Sequence, residues 1–532
     1  MAWPSPEPNG WMDPSTVIFW FVCVSCISSV VVTLPRIKGG GMGWVALYLT
    51  ILAVLLAGGL LEANTLIYVA AVMWLVLAFT PGLISLRYYR RLFEQNYSAA
   101  YQLSKILSWL HPLDGWREQP EIMRALILAQ QGKLSGALEI LEKFRDNKSA
   151  IGVAAVANLY RITNQWEEFL HWEREHQEAI GRHPQLLPTL LRARGETGDW
   201  RGLVELYRSR QPEIARLAPA ATRDLCRLVL FAFCGKPGYA ERLFAGSLQI
   251  LPANIKEFWL ATAELANGAQ ESAQDRFQML LPAAEPPLRL AIERRLNPLL
   301  IPPIPLDPSM EGFIASVALE VGQEQSLGAR PSLFSKQARA TQILLALNVS
   351  TFAAEVFLGG GSNPETLYRL GALFPPAVRA GEWWRLLTSF FLHFGALHLV
   401  MNMLGLWLLG PFVEFALGFA RYVFLYLLAG IGSMCSVMVF GWGSGGDHLT
   451  VGASGCVMGL VGATGALMLR GWLRHRALSA KRRFSSVLLI ITMQSLFDLL
   501  VPEVSMTAHL SGALIGFAIA SIVGDRLKLS AS

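Results

Sequence analysis

Residues 394–415 read FGALHLVMNMLGLWLLGPFVEF. The stretch is mostly apolar and close to the ~20 residues that a helix needs to span the hydrocarbon core of a membrane. Similar segments lie on both sides of it in the chain, at about 341–358, 419–441, 454–472, 484–501 and 506–524. Six such segments in succession predict an all-α, polytopic membrane domain over residues 340–526.

The composition of the whole chain agrees with a membrane protein. Of its 532 residues, 53% are hydrophobic and 16% are charged, which is too apolar for an ordinary soluble protein of this size. Three more apolar segments, at about 16–34, 43–62 and 66–85, predict an N-terminal membrane region over residues 1–85. The net charge of +6 is modest, and basic residues stand beside apolar segments, so topology explains them better than binding to nucleic acid.

Residues 86–297 are polar and have amphipathic helical patterning. This region and motifs such as RALILAQQGKLSGALEILEKF resemble the tetratricopeptide class of helix-turn-helix repeat. The resemblance implies a solenoid whose concave surface binds a cytosolic protein or peptide, and the alternative is an irregular helical domain without a ligand. The turns recur every 32 to 37 residues, at Gly132-Lys133-Leu134, Asn164-Gln165-Trp166, Gly198-Asp199-Trp200, Gly235-Lys236-Pro237 and Asn267-Gly268-Ala269.

A proline-rich stretch, IPPIPLDPSM at 301–310, follows this region. Because proline cannot continue a helix and stiffens the chain, it predicts a linker over residues 298–339. Residues 527–532 are left as a short C-terminal tail.

Charged loops predict how the chain threads the membrane. If the basic loops are cytoplasmic, nine spans thread consistently, with the N-terminus outside and with the repeat region and the C-terminus in the cytoplasm. The seventh and ninth spans then begin at the outer face. The start of the chain has no Lys or Arg before its first apolar run, which argues against a signal or transit peptide and favours a bacterial cytoplasmic membrane. The basic residues are Arg36, Lys38, Arg87, Arg90, Arg91, Lys336, Arg339, Arg470, Arg474, Arg476, Lys481, Arg482, Arg483, Arg526 and Lys528.

Ser454 lies in the segment Gly452-Ala453-Ser454-Gly455, where an outward loop enters the seventh span. The flanking glycines leave room for close backbone approach, and the neighbouring N–H groups can point at an oxyanion. Alone, such a motif more often packs membrane helices, a use that Gly455-x-x-x-Gly459 also fits.

His509 lies near the outward start of the ninth span. An ionisable side chain at this depth is costly, which makes it a functional candidate. The small-residue motifs Gly455-x-x-x-Gly459 and Gly512-x-x-x-Gly516 would bring the two helices close together. A serine and a histidine within hydrogen-bonding reach form a nucleophile and its general base.

His398 and Asn402 stand at i and i+4 in the fifth span and therefore share a helical face. Both side chains can donate hydrogen bonds to a developing oxyanion. A metal site is the weaker hypothesis for His398, since no Glu or Cys stands at helical spacing, and we expect neither a metal nor a cofactor. Cys23 and Cys26 form a C-x-x-C inside an apolar run, which favours packing over redox or zinc chemistry.

Three segments together resemble the rhomboid family in order and spacing: GEWWRLLTSFFLHFGALHLVMNMLGLWLLG at 381–410, VGASG at 451–455 and AHLSGALIG at 508–516. The resemblance implies a six-helix core with a Ser-His dyad that lacks a triad aspartate. By that likeness Ser454 is the nucleophile and His509 the base, and His398, Asn402 and the Ser454 backbone N–H form the oxyanion hole.

The other residues of the motifs have simpler interpretations. Trp384 and Arg385 match the family's loop motif, for which interfacial anchoring and loop structure are the favoured roles. Met458 stands where the family commonly has Phe or Tyr against the catalytic histidine, which predicts altered positioning of the histidine with activity retained. Asp498 is interpreted as an interfacial structural partner and not as a third member of a triad.

The implied reaction is hydrolysis of peptide bonds in transmembrane or juxtamembrane segments, with single-span or polytopic membrane proteins as substrates. The rival hypothesis is a non-catalytic membrane adaptor that recruits clients through its helical repeats. No nucleic-acid partner is expected, and the lipid bilayer surrounds both membrane regions.

Overall fold

The computed structural model describes residues 14–34, 41–297, 306–328, 338–440, 448–475, 478–501 and 504–523. Within those ranges the fold is all-α, and its one β-type pairing is an isolated bridge between Leu373 and Thr450. The chain forms two compact units, one of Met12–Leu319 and one that takes in Glu320–Ser532. The predicted tail at 527–532 and residues 301–305 of the proline-rich stretch lie outside the described residues.

The three N-terminal apolar segments form a small helical bundle. Its core includes the buried Cys23 and Cys26, both free thiols, packed with Ile51 and Leu55. The bundle consists of α1 (Pro14–Thr33), α2 (Met42–Leu60), α3 (Asn64–Met73), a π-helical turn (Trp74–Phe79) and α4 (Thr80–Phe93), the last three running on as one helix.

Asp114 lies in the loop after α5 (Tyr97–Leu110) and caps the start of α2. Its carboxylate accepts hydrogen bonds from the backbone N–H groups of Gly41, Gly43 and Trp44 at 3.0–3.1 Å. His111 lies 3.1 Å from the same carboxylate and stacks on the Trp44 ring. Because the first N–H groups of a helix have no partner within it, this loop supplies the acceptors that α2 needs.

The middle region consists of helices joined mostly by short turns. They are α5 (Tyr97–Leu110), α6 (Gln119–Gln130), α7 (Leu134–Glu142), α8 (Ala150–Thr163), α9 (Trp166–Glu175), α10 (Gln177–Gly181), α11 (Leu187–Glu196), α12 (Trp200–Ser209), α13 (Gln211–Ile214), α14 (Ala220–Phe233), α15 (Pro237–Phe244), α16 (Ala253–Ala266), α17 (Gln270–Leu280) and α18 (Pro286–Leu296), with 3-10 turns at Pro184–Leu186, Ser247–Ile250 and Leu281–Ala283.

Each of the five predicted turns joins two of these helices, in the pairs α6/α7, α8/α9, α11/α12, α14/α15 and α16/α17. Every turn contains one residue in the left-handed region, which ends the first helix and lets the chain reverse. Their assignment to the tetratricopeptide class stays a prediction. The residues are Gly132 (φ 75°), Asn164 (60°), Gly198 (77°), Gly235 (65°) and Gly268 (85°).

Helix α18 runs back across the first helices of these pairs. It therefore covers part of the surface that these first helices share. The protein or peptide partner expected for this region stays a prediction. The contacts are Gln130 Nε2 to Glu285 Oε2 (2.8 Å), Asn164 Nδ2 to the Leu290 carbonyl (3.5 Å), Arg295 Nη1 to Glu196 Oε2 (2.5 Å) and the Arg295 guanidinium over the Phe233 ring (5.0 Å).

Glu196 is the buried anchor of α18. Burial alone would raise the pKa of this carboxyl, but the guanidinium groups of Arg295 and Arg192 outweigh it and lower the pKa to about 2. A buried ion pair of this kind is costly to break, because either partner alone would be an uncompensated charge. The cluster therefore fastens α18 to α11.

The predicted linker contains a helix, α19 (Pro308–Gly328). Its first turns pack on the middle region: Phe313 meets the Tyr207 ring edge-on at 6.0 Å, and Lys236 pairs with Glu311 at 3.2 Å. Pro308 is the first residue of this helix, a position that tolerates proline, and the other prolines of 301–310 come before it in the chain. The helix-breaking signal therefore covers only the beginning of the segment.

The C-terminal unit contains the six predicted core helices. These are α20 (Arg339–Phe357), α24 (Gly395–Leu417), α25 (Phe419–Phe440), α26 (Ser454–His475), α27 (Leu478–Leu500) and α28 (Met506–Ile522), and the segment between the first two holds α21 (Pro364–Leu370), α22 (Pro375–Arg379), α23 (Arg385–Thr388) and a 3-10 turn (Ser389–Phe391).

Among the described residues, six helices are long and apolar enough to cross a membrane: Met42–Leu60, Asn64–Phe93, Arg339–Phe357, Gly395–Leu417, Phe419–Phe440 and Ser454–Arg474. The protein is an integral membrane protein. Two shorter apolar helices, Ile18–Thr33 and Met506–Ile522, coincide with two further predicted spans, and α27 with the last. Because 67% of the Ser454–Arg474 span is buried inside the protein, against 39% or less of the others, α26 is the central helix of its unit.

Replacing Asp114 by alanine should lower the free energy of unfolding at neutral pH by about 0.5–2 kcal/mol, because α2 loses its cap. Burial alone would raise the pKa of Asp114, but the hydrogen bonds from His111 and three backbone N–H groups hold it below its ordinary value. The stabilisation is therefore present above the unfolded-state pKa of about 3.9 and is lost as the pH falls through the lower folded-state pKa.

Thermal unfolding of the detergent-solubilised protein at several pH values measures this effect. Asp146→Ala, which removes an exposed acid from the same region, is the matched control. Equal stability of the Asp114 and Asp146 variants at neutral pH would show that the cap contributes nothing.

Candidate active site

Ser454 is the first residue of α26, and the loop before it is fixed by backbone hydrogen bonds. Leu373 and Thr450 exchange two of them, at 3.0 and 2.9 Å, and the Gly452 N–H donates to the Ser389 carbonyl at 3.0 Å. Both partners belong to the segment between α20 and α24. The start of α26 is therefore held by the loop that carries the motif residues of 381–394.

Gly452 faces both predicted oxyanion donors. It has φ +120°, and a Cβ atom here would lie 2.5 Å from His398 Cε1, 2.8 Å from His398 Nε2 and 3.7 Å from Asn402 Nδ2. Only glycine satisfies both the backbone conformation and the space. His398 and Asn402 thus converge on the backbone immediately before Ser454.

The hydrogen bonding of His398 fixes which ring nitrogen carries the proton. The Phe394 backbone N–H donates to His398 Nδ1 at 3.3 Å, so Nδ1 is an acceptor and the neutral ring carries its proton on Nε2. Nε2 is the nitrogen that faces Gly452. His398 therefore presents an N–H donor to this loop.

Asn402 supplies a second donor. Its side chain is buried, and its Nδ2 has no hydrogen-bond partner among the described residues. A buried donor without a partner is costly and calls for an explanation. A transient negative charge beside Gly452 would provide the missing acceptor.

Helices α26 and α28 touch through their backbones. Gly455 lies against Gly512, and Gly459 against Gly516, so closely that a Cβ atom on Gly512 or Gly516 would overlap the carbonyl of the facing glycine. The pairing shows that the two helices run parallel. Ser454, next to the first glycine of α26, and His509, one turn before the first glycine of α28, therefore lie at the same end.

His509 is buried and is held by α27. Its Nδ1 lies 2.8 Å from Asp498 Oδ2 and 3.3 Å from Gln494 Nε2, and Gln494 Nε2 also donates to Asp498 Oδ1 at 2.8 Å. With Nδ1 donating to a carboxylate, Nε2 keeps its lone pair. Within the described part of the chain Ser454 Oγ makes no hydrogen bond to His509. Hydrogen bonds between a nucleophile and its base are often long in the absence of substrate and tighten when substrate binds.

Asp498, which the sequence analysis interprets as an interfacial structural partner, contacts His509 through its carboxylate, and its residue is only 5% exposed. Its depth in the membrane stays a prediction. Its signal in the sequence was an acid inside an apolar segment, four residues after Gln494 and thus on the same helical face.

Arg385 and Trp384 shape the loop between α20 and α24. Arg385 is buried, donates to the carbonyls of Tyr368 and Ala372 at 2.7 and 3.0 Å and pairs with Glu382 at 2.6 Å. Its guanidinium lies between the Tyr368 and Trp384 rings, while Trp384 itself is 48% exposed. These contacts hold the backbone of the loop.

Met458 packs among apolar side chains of three helices. It forms a buried cluster with Val461, Val487 and Ala513, contributed by α26, α27 and α28. Its flexible side chain fills the space between the three helices. In the described ranges, no group of three or more His, Cys, Asp or Glu side chains is arranged to hold a metal ion.

Replacing Gly452 by alanine should disturb the start of α26 and displace His398. A displacement of about 1 Å in such a site costs about 10²-fold in rate. Labelling of Ser454 by a serine-reactive fluorophosphonate should therefore slow by about that factor. Gly312→Ala is the control, because nothing lies within 4 Å of the added atom. Labelling at the wild-type rate would show that Gly452 is not needed at this position.

Comparison with known proteins relates the C-terminal unit to a family. The model of the Rhomboid domain matches residues 380–526. The Rhomboid protease GluP of Bacillus subtilis (strain 168) is 31% identical over 209 residues, which is 39% of this chain and 39% of that protein. RHOMBOID-like protein 6, mitochondrial, of Arabidopsis thaliana is 38% identical over 168 residues, 31% of this chain and 52% of its own length.

The chain thus spans about half or less of the length of these two relatives. No solved structure matches it. Another Bacillus subtilis protein, named "Putative rhomboid protease YdcA", is 31% identical over 156 residues, 29% of this chain but 70% of that protein. The matched region contains α24 to α28 and all the site residues described above, and this chain belongs to the rhomboid family.

Proposed function

We propose that this protein is an intramembrane serine endopeptidase that cleaves transmembrane or juxtamembrane segments of membrane proteins. The observation that carries the proposal is the convergence of donors on the backbone beside Ser454. His398 presents an Nε2–H to this loop, and the Asn402 amide there has no partner among the described residues. Donors held in place before any charge develops are what acyl transfer requires.

In the proposed reaction, His509 Nε2 takes the proton of Ser454 Oγ while Oγ bonds to the scissile carbonyl carbon. The oxygen that becomes negative is stabilised by His398, Asn402 and the Ser454 backbone N–H. That N–H is available because the first N–H groups of a helix lack acceptors within it. The C–N bond then breaks, the amine takes the proton from His509, and water hydrolyses the acyl-serine.

The substrate must expose a peptide bond to this site. Within a membrane helix the amide is hydrogen bonded internally, so the helix has to unwind before attack. Membrane proteins with one or several spans and with helix-destabilising residues near the cleavage point are therefore the proposed substrates.

Location and orientation are part of the proposal. The basic loops favour a cytoplasmic repeat region and C-terminus and an outward-facing site, and the cytoplasmic membrane of a bacterium is the proposed location. One contact supports placing the basic loop after α26 and the C-terminus on the same side. Arg470 lies near the end of α26 opposite to Ser454, and its Nη2 donates to the carbonyls of Ala520 and Ser521, at the end of α28, at 2.9 and 2.8 Å. The repeats would present a surface to a cytosolic protein or peptide.

Ser454→Ala should abolish covalent labelling by a fluorophosphonate and cleavage of a single-span test substrate, because the attacking oxygen is removed. Both are measured with the purified full chain in proteoliposomes, and Ser436→Ala, a serine on α25 whose hydroxyl bonds within its own helix, is the control. Wild-type protein that takes no label and cleaves no test substrate would favour the non-catalytic adaptor instead.

Asn402→Ala should lower turnover by about 10²- to 10³-fold, because one donor to the oxyanion is lost. The effect should fall on kcat and leave KM nearly unchanged, since the donor acts in the transition state. Asn348→Ala tests another buried amide of the same unit outside the site. Unchanged turnover of the Asn402 variant would remove this residue from the mechanism.

A further inference from the structure

Asp498 and Gln494 lie at i and i+4 on α27 and present their side chains to His509 on α28. The Asp498 side chain is fully buried, and each of its oxygens has a partner: Oδ2 meets His509 Nδ1 at 2.8 Å, and Oδ1 accepts from Gln494 Nε2 at 2.8 Å. The distances are those of strong hydrogen bonds, and a charge-assisted bond at such a site is worth more than a neutral one.

A carboxylate inside a membrane domain is costly, and a purely structural role has cheaper solutions. The partner of Asp498 is the ring nitrogen opposite to the one that would accept the serine proton. A carboxylate at Nδ1 fixes the ring orientation, keeps the proton on Nδ1 and leaves the lone pair on Nε2. It would also stabilise the imidazolium that forms when Nε2 takes a proton.

We propose that Asp498 is a positioning residue of the reaction and completes a Ser454–His509–Asp498 arrangement, with Gln494 holding the carboxylate in place. The inference rests on the proposed endopeptidase function and departs from the dyad implied by the family resemblance. The proton that leaves Ser454 Oγ goes to His509 Nε2 and then to the leaving amine. Asp498 takes no part in this transfer and acts only through its hydrogen bond to His509.

Among the described residues, the charged and titratable groups that face His509 come from two other helices. Asp498 lies on α27, and His398 on α24 is near enough to interact electrostatically with His509. Of these only Asp498 contacts the ring directly through a hydrogen bond. The effect of removing its charge can therefore be separated from that of the oxyanion donor His398.

Asp498→Asn tests the role. An amide that points its NH₂ at His509 Nδ1 would reverse the tautomer, so kcat for the single-span substrate should fall by about 10²- to 10⁴-fold with KM nearly unchanged. Asp498→Glu keeps the charge and should recover part of the loss. In a His509→Ala background the Asn substitution should cause no further loss of residual turnover, because Asp498 acts through His509.

Glu414→Gln is the matched control for removal of a buried carboxylate. Glu414 accepts hydrogen bonds from the Ala340 and Thr341 N–H groups at 2.8 Å and does not touch the site, so its variant should keep the wild-type kcat per folded molecule. A wild-type kcat in Asp498→Asn overturns the positioning role, and so does a loss equal to that of Glu414→Gln. Wild-type protein without activity or fluorophosphonate labelling overturns the proposed function instead.

Discussion

The backbone contact between α26 and α28 is the constraint on which the C-terminal unit depends. Two glycine pairs, Gly455 with Gly512 and Gly459 with Gly516, bring the helices together without an intervening side chain. In a bilayer the hydrophobic effect contributes little to helix association, so close packing has to supply it. The same contact places the start of both helices, and with them Ser454 and His509, at one end of the unit.

Buried acids organise the helices around this contact. Glu414 accepts hydrogen bonds from the Ala340 and Thr341 N–H groups and from the Thr341 hydroxyl, and so caps the start of α20. Asp498 uses its two oxygens on His509 and Gln494. A carboxylate that is removed from water needs such partners. One acid thereby fixes where a helix begins, and the other fixes the direction of an imidazole ring.

Much of this architecture could be predicted because its signals are local. Each of the nine apolar segments coincides with a helix, and each predicted turn with a reversal at a left-handed residue. The motifs around Gly452, Ser454 and His509 likewise lie in short stretches. Hydropathy cannot say which side chain of one helix meets which of another, so the bond from Asp498 to His509 was missed.

The same limit applied outside the membrane. The return of α18 to the ends of α6, α8 and α11 depends on pairs more than 90 residues apart, such as Arg295 with Glu196, and no periodic pattern carries that information. Helix α19 was not predicted, because prolines stand before it and at its first residue. In both cases tertiary packing decided what the local sequence left open.

The cap that Asp114 places on α2 has a consequence for the reach of the middle region. A loop from that region is bonded to the first turn of α2, and α4 runs directly into the region, so the region has two attachments to the N-terminal bundle. Two attachments remove the free swing that a single flexible tether would allow. The orientation of these helices relative to the N-terminal bundle is therefore constrained at two points.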